Sequence, residues 1–380
     1  MTLAPVLGLT ALLNLYIGIR LLPFLPGPVS STLLATVLLA LALLIPLGLA
    51  ARRLARPPAA DRLTWAGMLA LGLFSSLFVF TLLRDLVLLL AAVAAWLEPR
   101  LAAPGLAALS AEAVPLLALV ASLLGAFNAR RTAQVVEVDV PIDGLPAALH
   151  GFTIAQISDI HVGPTIKAPY LQGIVDAVNR LQADMVAITG DLVDGSVKEL
   201  AGQVAPLAGL SSRYGSFFVT GNHEYYSGAA SWITELRRLG LTVLVNQHVV
   251  LEQAGERMVL AGVADFTAHH FDPSHQSDPV AALLGSPGDA AVRILLAHQP
   301  RSAATAELAG FDLQLSGHTH GGQFFPWGYF VRFQQPFTAG LYRMGRLWVY
   351  VSRGTGYWGP PKRLGAPSEI TRLRLVTAQH

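Results

Sequence analysis

The stretch FTIAQISDIH, Phe152–His161, decides the fold. Its first part, Phe152–Ser158, is a short apolar run ending in polar residues, which predicts a buried β-strand. Its second part puts Asp159 and His161 at the strand end, where α/β sheets carry their ligand-binding loops. Downstream, Tyr170–Leu181 has helical spacing, Asp184–Thr189 reads as a buried strand and Lys198–Leu207 as a weaker helix. Ser216–Thr220 is another strand and Trp232–Leu239 another helix. This is βαβα order. Further strands are predicted at Thr242–Val245, His248–Glu252, Arg257–Val263, Arg293–Ala297, Asp312–Ser316, Leu347–Ser352 and Ile370–Val376. Upstream, the Val-rich alternation of Gln134–Val140 adds one more. Residues 131–380 therefore form one α/β domain with much sheet.

Toward the N-terminus the composition changes. Of 380 residues, 53% are hydrophobic and only 13% charged, too few charges to coat a soluble protein of this size. Residues 1–127 hold seven Arg, four acids and no Lys, a net +3, while the rest holds 19 basic and 20 acidic residues, a net −1. No polybasic nucleic-acid surface follows, and nucleic-acid binding is not expected. With no Cys in the chain, disulfides and thiolate metal sites are excluded. Four apolar runs reach the roughly 20 residues that cross a bilayer: Thr2–Leu22, Ser30–Ala50, Thr64–Leu83 and Leu106–Phe127. The first lacks a basic n-region and a small-residue cleavage site, so it is expected to stay as an anchor. Leu86–Trp96 is too short to span alone and is expected to extend the third helix or lie along the interface. Residues 1–130 thus read as an all-α transmembrane bundle of four helices. Arg52, Arg53, Arg56 and Arg62 follow the second run and Arg130-Arg131 the fourth, so an even number of crossings puts both clusters on one side. The positive-inside rule makes that side the cytoplasm, with the catalytic domain there and the protein multi-pass in the cell (inner) membrane. The intramembrane charges Arg84, Asp85 and Glu112 either line a functional cavity, since such charges are expensive in lipid, or, as the stronger reading for Arg84-Asp85 near a span end, reach the headgroups.

The chemistry lies just after the predicted strands. Asp159-Ile160-His161, Gly190-Asp191-Leu192-Val193-Asp194, Gly221-Asn222-His223-Glu224 and Gly317-His318-Thr319-His320 each follow one, and His298 ends a fifth. Five of the eleven His fall in these positions. A lone Asp or His in a loop is ordinarily solvated or a cap; this recurrence is not. Imidazole, carboxylate and amide donors without thiolate suit divalent Mn, Fe or Zn. A shared carboxylate such as Asp191 can bridge two such ions.

These blocks, D-x-H, G-D-x-x-D, G-N-H-[DE], H and G-H-x-H in that order, resemble the calcineurin-like metallophosphoesterases, and most closely their membrane-associated YkuE-like bacterial branch. The resemblance covers about residues 133–380, including Gly317–Gln323, Val351–Gly354 and Pro367-Ser368-Glu369-Ile370, where Ser replaces the branch's usual second Pro. It implies a β-sandwich flanked by helices and two divalent metal ions. By that resemblance Asp159, His161, Asp191 and His320 hold one ion, and Asp191, Asn222, His298 and His318 the other. His223, which is not a family ligand, is implied to protonate the leaving group, with Asp194 orienting it. Asp194 as a turn residue capping the helix near Val197 is the alternative.

The resulting expectation is a membrane-bound phosphoesterase acting on a phosphate or diphosphate ester. A lipid-linked substrate of the acylated UDP-sugar type is one reading, because members of the branch cleave such diphosphates. A soluble nucleotide or cyclic nucleotide is the alternative, and a catalytically silent ligand sensor is disfavoured by the complete ligand set. His269, His270 and His275 read as a solvated loop, and Asp265 sits similarly. The aromatic run Gln323–Phe337 either contacts an acyl chain or the membrane interface, or packs over the sheet.

Overall fold

The computed structural model describes residues 3–378, so Thr2 of the first predicted span lies outside it. The chain forms two compact units: Met1–Phe127 with Gly359–Lys362, and Asn128–Trp358 with Arg363–His380.

The first unit is helical. It comprises α1 (Leu3–Leu21), α2 (Gly27–Leu49), a short α3 (Ala51–Leu54), α4 (Ala59–Leu97) and α5 (Leu106–Arg130). Among the described residues four helices are long and apolar enough to cross a membrane. α1, at 19 residues, falls just inside its predicted run, whereas α4 and α5 exceed theirs because helix continues past the apolar core into residues such as Asp61, Arg84-Asp85, Asn128 and Arg130, which length-of-apolar-run counting ignores. α4 is the extreme case, with 39 residues. Leu86–Trp96 continues it as helix, since neither Gly nor Pro interrupts the chain there. Ile17, Leu34, Leu38, Phe74, Leu77 and Ala118 meet in the interior of the bundle. α2 and α4 approach so closely at Gly48 and Gly67 that a Cβ on Gly48 would lie 2.6 Å from the Gly67 Cα, the small-residue contact on which membrane helices pack. The ammonium of Lys362 donates to the Gly72 carbonyl at 2.8 Å.

The second unit is a sandwich of two six-stranded sheets. The first has the order β1 (Gln134–Ile142), β12 (Glu369–Thr377), β2 (Thr153–Ile157), β3 (Met185–Ile188), β4 (Ser216–Phe218), β5 (Thr242–Val243). β2 through β5 run parallel, joined by α6 (Ala168–Arg180), α7 (Val197–Val204), and the pair α8 (Asn222–Ser227) and α9 (Ala229–Arg238). The second sheet has the order β10 (Gly340–Met344), β11 (Leu347–Val351), β9 (Leu313–Ser316), β8 (Val292–Leu296), β7 (Glu256–Gly262), β6 (Gln247–Gln253). α10 (Ala303–Ala309) precedes β9 and α11 (Gly328–Val331) follows it. Ile154, Met185 and Phe217 of one sheet pack with Leu260, Ile294 and Leu315 of the other. Alternate residues, Ala155 and Ile157 among them, face α6, α7 and α9 instead. Strands buried on both faces explain why these segments read as continuous apolar runs.

Candidate metal centre

The parallel pairing Ile157↔Ile188 and Ile188↔Phe218 brings the ends of β2, β3 and β4 level, and Leu296↔Leu315 does the same for β8 and β9. Each predicted site residue sits on one of these five ends. The backbone there is bent sharply. Among the described residues nine non-glycine positions have positive φ, and five are Asp159 (53°), His161 (57°), Asp191 (50°), His318 (72°) and His320 (51°). Such conformations cost of order 1–3 kcal/mol each and persist where surrounding structure imposes them, typically at functional sites. Two glycines serve the same crowding. A Cβ on Gly221 would collide with the Asp191 carboxylate, and one on Gly317 with Ser158 Oγ and the Asp159 carboxylate.

The donors converge. Asp159, His161 and His320 form one group with ligand atoms within 4.8 Å of one another, and Asp191, His298 and His318 form a second. His161 Nε2 is 3.1 Å from His320 Nε2, and His298 Nε2 is 3.1 Å from Asp191 Oδ2. That same Asp191 oxygen is 3.9 Å from His161 Nε2, so it lies between the two groups. Asn222 heads α8, and its buried Oδ1 has no hydrogen-bond partner among the described residues. An orphaned buried acceptor at the β4 strand end, next in sequence to His223, suits a cation ligand. The donor set therefore fits two divalent ions.

A third group, His161, Asp194 and His223, also has its ligand atoms within 4.8 Å. Here the carboxylate meets the Nδ1 atoms of both rings, at 3.0 Å to His161 and 2.6 Å to His223. Asp194 thus orients two histidines, leaving each Nε2 for other work, the arrangement usual behind metal-bound imidazoles. It does not cap α7: Ser196 occupies that N-cap, and its N–H donates to Glu199 at 3.2 Å. Burial opposes ionisation of Asp194, but the two imidazoles outweigh it and hold its carboxyl well below the usual range. Burial likewise opposes charge on His223, and the Asp194 hydrogen bond with the Asp191 charge pushes its pKa up to about 9. His318 goes the other way, to about 3, through burial and the neighbouring His298.

Three supporting roles escaped the sequence reading. Glu224 is fully buried and accepts the backbone N–H groups of Asp191 (3.0 Å), Leu192 (2.8 Å) and Gly221 (2.7 Å), tying the β3 and β4 loops together. The Thr189 carbonyl lies 2.8 Å from His298 Nδ1 and fixes that ring. Arg363, also buried, lies 3.0 Å from His320 Nδ1 and donates to the Arg353 carbonyl at 2.7 Å. Of these only Glu224 had a signal, its place in G-N-H-[DE].

The discounted residues stay apart from the donor groups. His275 Nδ1 pairs with the Tyr225 hydroxyl at 2.9 Å, and buried Asp265 accepts from Thr267 and Gln299. The aromatic run divides: Phe324 is buried, whereas Phe325, Trp327, Tyr329, Phe330 and Phe333 are exposed.

Residues 152–322 match the calcineurin-like phosphoesterase family. The chain is 33% identical over 255 residues to a metallophosphoesterase of Aquifex aeolicus, covering 66% of this chain and 95% of that one. It belongs to the calcineurin-like metallophosphoesterase family. A transmembrane protein with metallophosphoesterase domain from Danio rerio is 40% identical over 267 residues, 68% of this chain and 61% of the relative. The match thus spans about three-fifths of that relative's length. Metallophosphoesterase YkuE of Bacillus subtilis is 29% identical over 239 residues, 61% of this chain and 81% of that one.

Proposed function

We propose that the protein is a membrane-bound, dinuclear metal-dependent phosphoesterase. The observation that carries this reading is Asp191 Oδ2, 3.1 Å from His298 Nε2 and 3.9 Å from His161 Nε2, between two groups of ligand-type side chains. Asp159, His161, Asp191 and His320 would hold one ion, and Asp191, Asn222, His298 and His318 the other. When bound, such a pair, as Mn, Fe or Zn, would supply Lewis-acid stabilisation of phosphate charge and an acidified water. His223, its Nδ1 bound to Asp194, holds a proton at Nε2 for the leaving oxygen. His223, Asp194 and His318 are the partly exposed members of the set, so substrate approaches from their side.

Residues 1–130 form the transmembrane domain and 131–380 the catalytic domain, cytoplasmic in an inner-membrane, multi-pass protein that contacts membrane lipids. A lipid-linked phosphate or diphosphate ester of the acylated UDP-sugar type is the preferred substrate class, supported by the exposed rings of Phe325, Trp327, Phe330 and Phe333, which an acyl chain or interface would cover. A soluble nucleotide is the second reading, favoured by exposed Trp358 and Tyr226, whose rings lie 5.7 and 5.2 Å from that of His223 and offer a base a stacking surface. Assaying the solubilised full chain with Mn against p-nitrophenyl esters, nucleotides and acylated UDP-sugar separates the readings. Turnover of the acylated substrate well above the nucleotides is expected; no metal-dependent turnover of any phosphoester would overturn the enzymatic assignment.

A further inference from the structure

The helical unit carries a constellation that phosphoester chemistry does not use. On α1, Leu12, Tyr16, Ile19 and Arg20 stand at i, i+4, i+7 and i+8 and share one side of the helix; on α4, Phe78, Leu82 and Asp85 recur at spacings of four and three. The apolar members, Leu12, Tyr16, Ile19, Phe78 and Leu82, line a groove of about 440 Å³. The Tyr16 and Phe78 rings meet edge to face there, 6.0 Å apart. At its end the groove becomes ionic. The Tyr16 hydroxyl donates to Asp85 Oδ2 at 2.6 Å, and Arg20 Nε and Nη2 both lie 2.9 Å from Oδ1. Arg84 Nη1 is 3.5 Å from that oxygen.

Two guanidinium groups face one carboxylate, so the cluster keeps a net positive charge. Arg84 is the costly one, with its side chain 1% exposed. Its Nε donates to Ser110 Oγ at 3.1 Å and its Nη2 to the Ala107 carbonyl at 2.9 Å, both neutral, and the group lies over the Phe24 ring. Nη1 has no hydrogen-bond partner among the described residues. A buried cation without full compensation is expensive in a membrane and calls for an anion. Arg20, 42% exposed, offers the surface on which that anion can sit. Arg20 is in the last turn of α1, so the charge lies at headgroup depth while the groove runs back toward the middle of the helix.

We propose that this is a binding site for one anionic phospholipid, its headgroup phosphate on Arg20 with Arg84 behind it, and one acyl chain along the groove. The inference rests on membrane insertion of the four helices and not on the catalytic reading. Apolar contact gives little selectivity here, because the chain would otherwise lie among equally apolar lipid tails; the charge supplies it.

The test uses the full chain in neutral detergent. Thermal melting is followed with added dioleoylphosphatidylglycerol, dioleoylphosphatidylcholine or soluble glycerol phosphate, and native mass spectrometry counts retained lipid. Phosphatidylglycerol should raise the melting temperature by about 5 °C more than phosphatidylcholine, with one molecule retained per chain, and glycerol phosphate should do nothing. Arg20→Gln should abolish the preference, and Ile19→Trp, which fills the groove and keeps the charges, should weaken it. Equal response of the wild type to both lipids, or an undiminished preference in Arg20→Gln, overturns the site and leaves the cluster as a clamp between helices. A shift with glycerol phosphate overturns the acyl part. Should Arg20→Gln fail to fold, the wild-type lipid comparison and Ile19→Trp decide.

Discussion

Asp191 and His223 occupy adjoining positions and have separable duties. Asp191 Oδ2 lies between the two donor groups, while its Oδ1 accepts the backbone N–H of His223 at 2.9 Å. Asp191→Ala should therefore lose activity to background and fall below two ions per chain, since one bridge serves both sites; two retained ions with normal turnover in metal analysis would sink the assignment. His223 Nδ1 meets Asp194, which is outside the proposed ligand set, so on that proposal His223→Ala should retain both ions. Its kcat should drop by roughly 10²–10⁴, the usual worth of a positioned acid. The drop should shrink for p-nitrophenyl esters, whose leaving group needs no proton. Equal losses on p-nitrophenyl and alkyl esters would contradict leaving-group protonation.

At the scale of elements, the strand-end loops work because glycine leaves room for the carboxylates. Gly317→Ala should push the new Cβ into Ser158 Oγ and the Asp159 carboxylate, destabilising the fold by about 1–3 kcal/mol as overpacking does. Metal affinity should fall with it; an unchanged melting temperature and ion content would show that the loop relaxes freely. What the sequence disclosed of these elements follows from their burial. Strands apolar on both faces, such as Met185–Ile188 and Val292–Leu296, were legible. β10 was not, because Gly340–Met344 is a half-buried edge strand paired only to β11, and α8 was not, because Asn-His-Glu-Tyr-Tyr-Ser has no apolar period and owes its start to the Glu224 carboxylate. The ligand residues stood out by type and recurrence. Arg363 did not, since its reach to His320 across 43 positions is a product of the tertiary fold. The segment around α11 gives a further prediction. Phe325, Trp327 and Phe330 are 45%, 43% and 54% exposed, so replacing all three by Ser removes little packing. Activity on the acylated substrate should fall while a small soluble ester is spared, because only the former has apolar surface to set against these rings. Loss on both with a lower melting temperature would assign the loop to packing.

For the molecule as a whole, the decisive quantity is which Arg residues are available to hold a loop in the cytoplasm. Arg52, Arg53, Arg56 and Arg62 lie beyond the C-terminal end of α2, and Arg130-Arg131 beyond the fourth predicted span. Arg20 in the last turn of α1 and Arg100 after α4 lie toward the opposite side, and Arg84, within α4, faces the same Asp85 as Arg20, which at first sight dilutes the bias. These three are outnumbered by Arg52, Arg53, Arg56, Arg62, Arg130 and Arg131 on the other side, and the positive-inside rule counts Lys and Arg rather than net charge. We expect alkaline phosphatase fused at residue 380 to be inactive and the same reporter inserted in the 98–105 loop to be active, with green fluorescent protein giving the reverse. An active phosphatase at the C-terminus would require an odd number of crossings or the inverted orientation. The continuity of α4 through Leu86–Trp96 argues against the first, because one unbroken helix crosses once. A reporter in the 52–62 loop then isolates the second, since inversion moves that loop across the membrane while an added crossing after Leu83 leaves it in place.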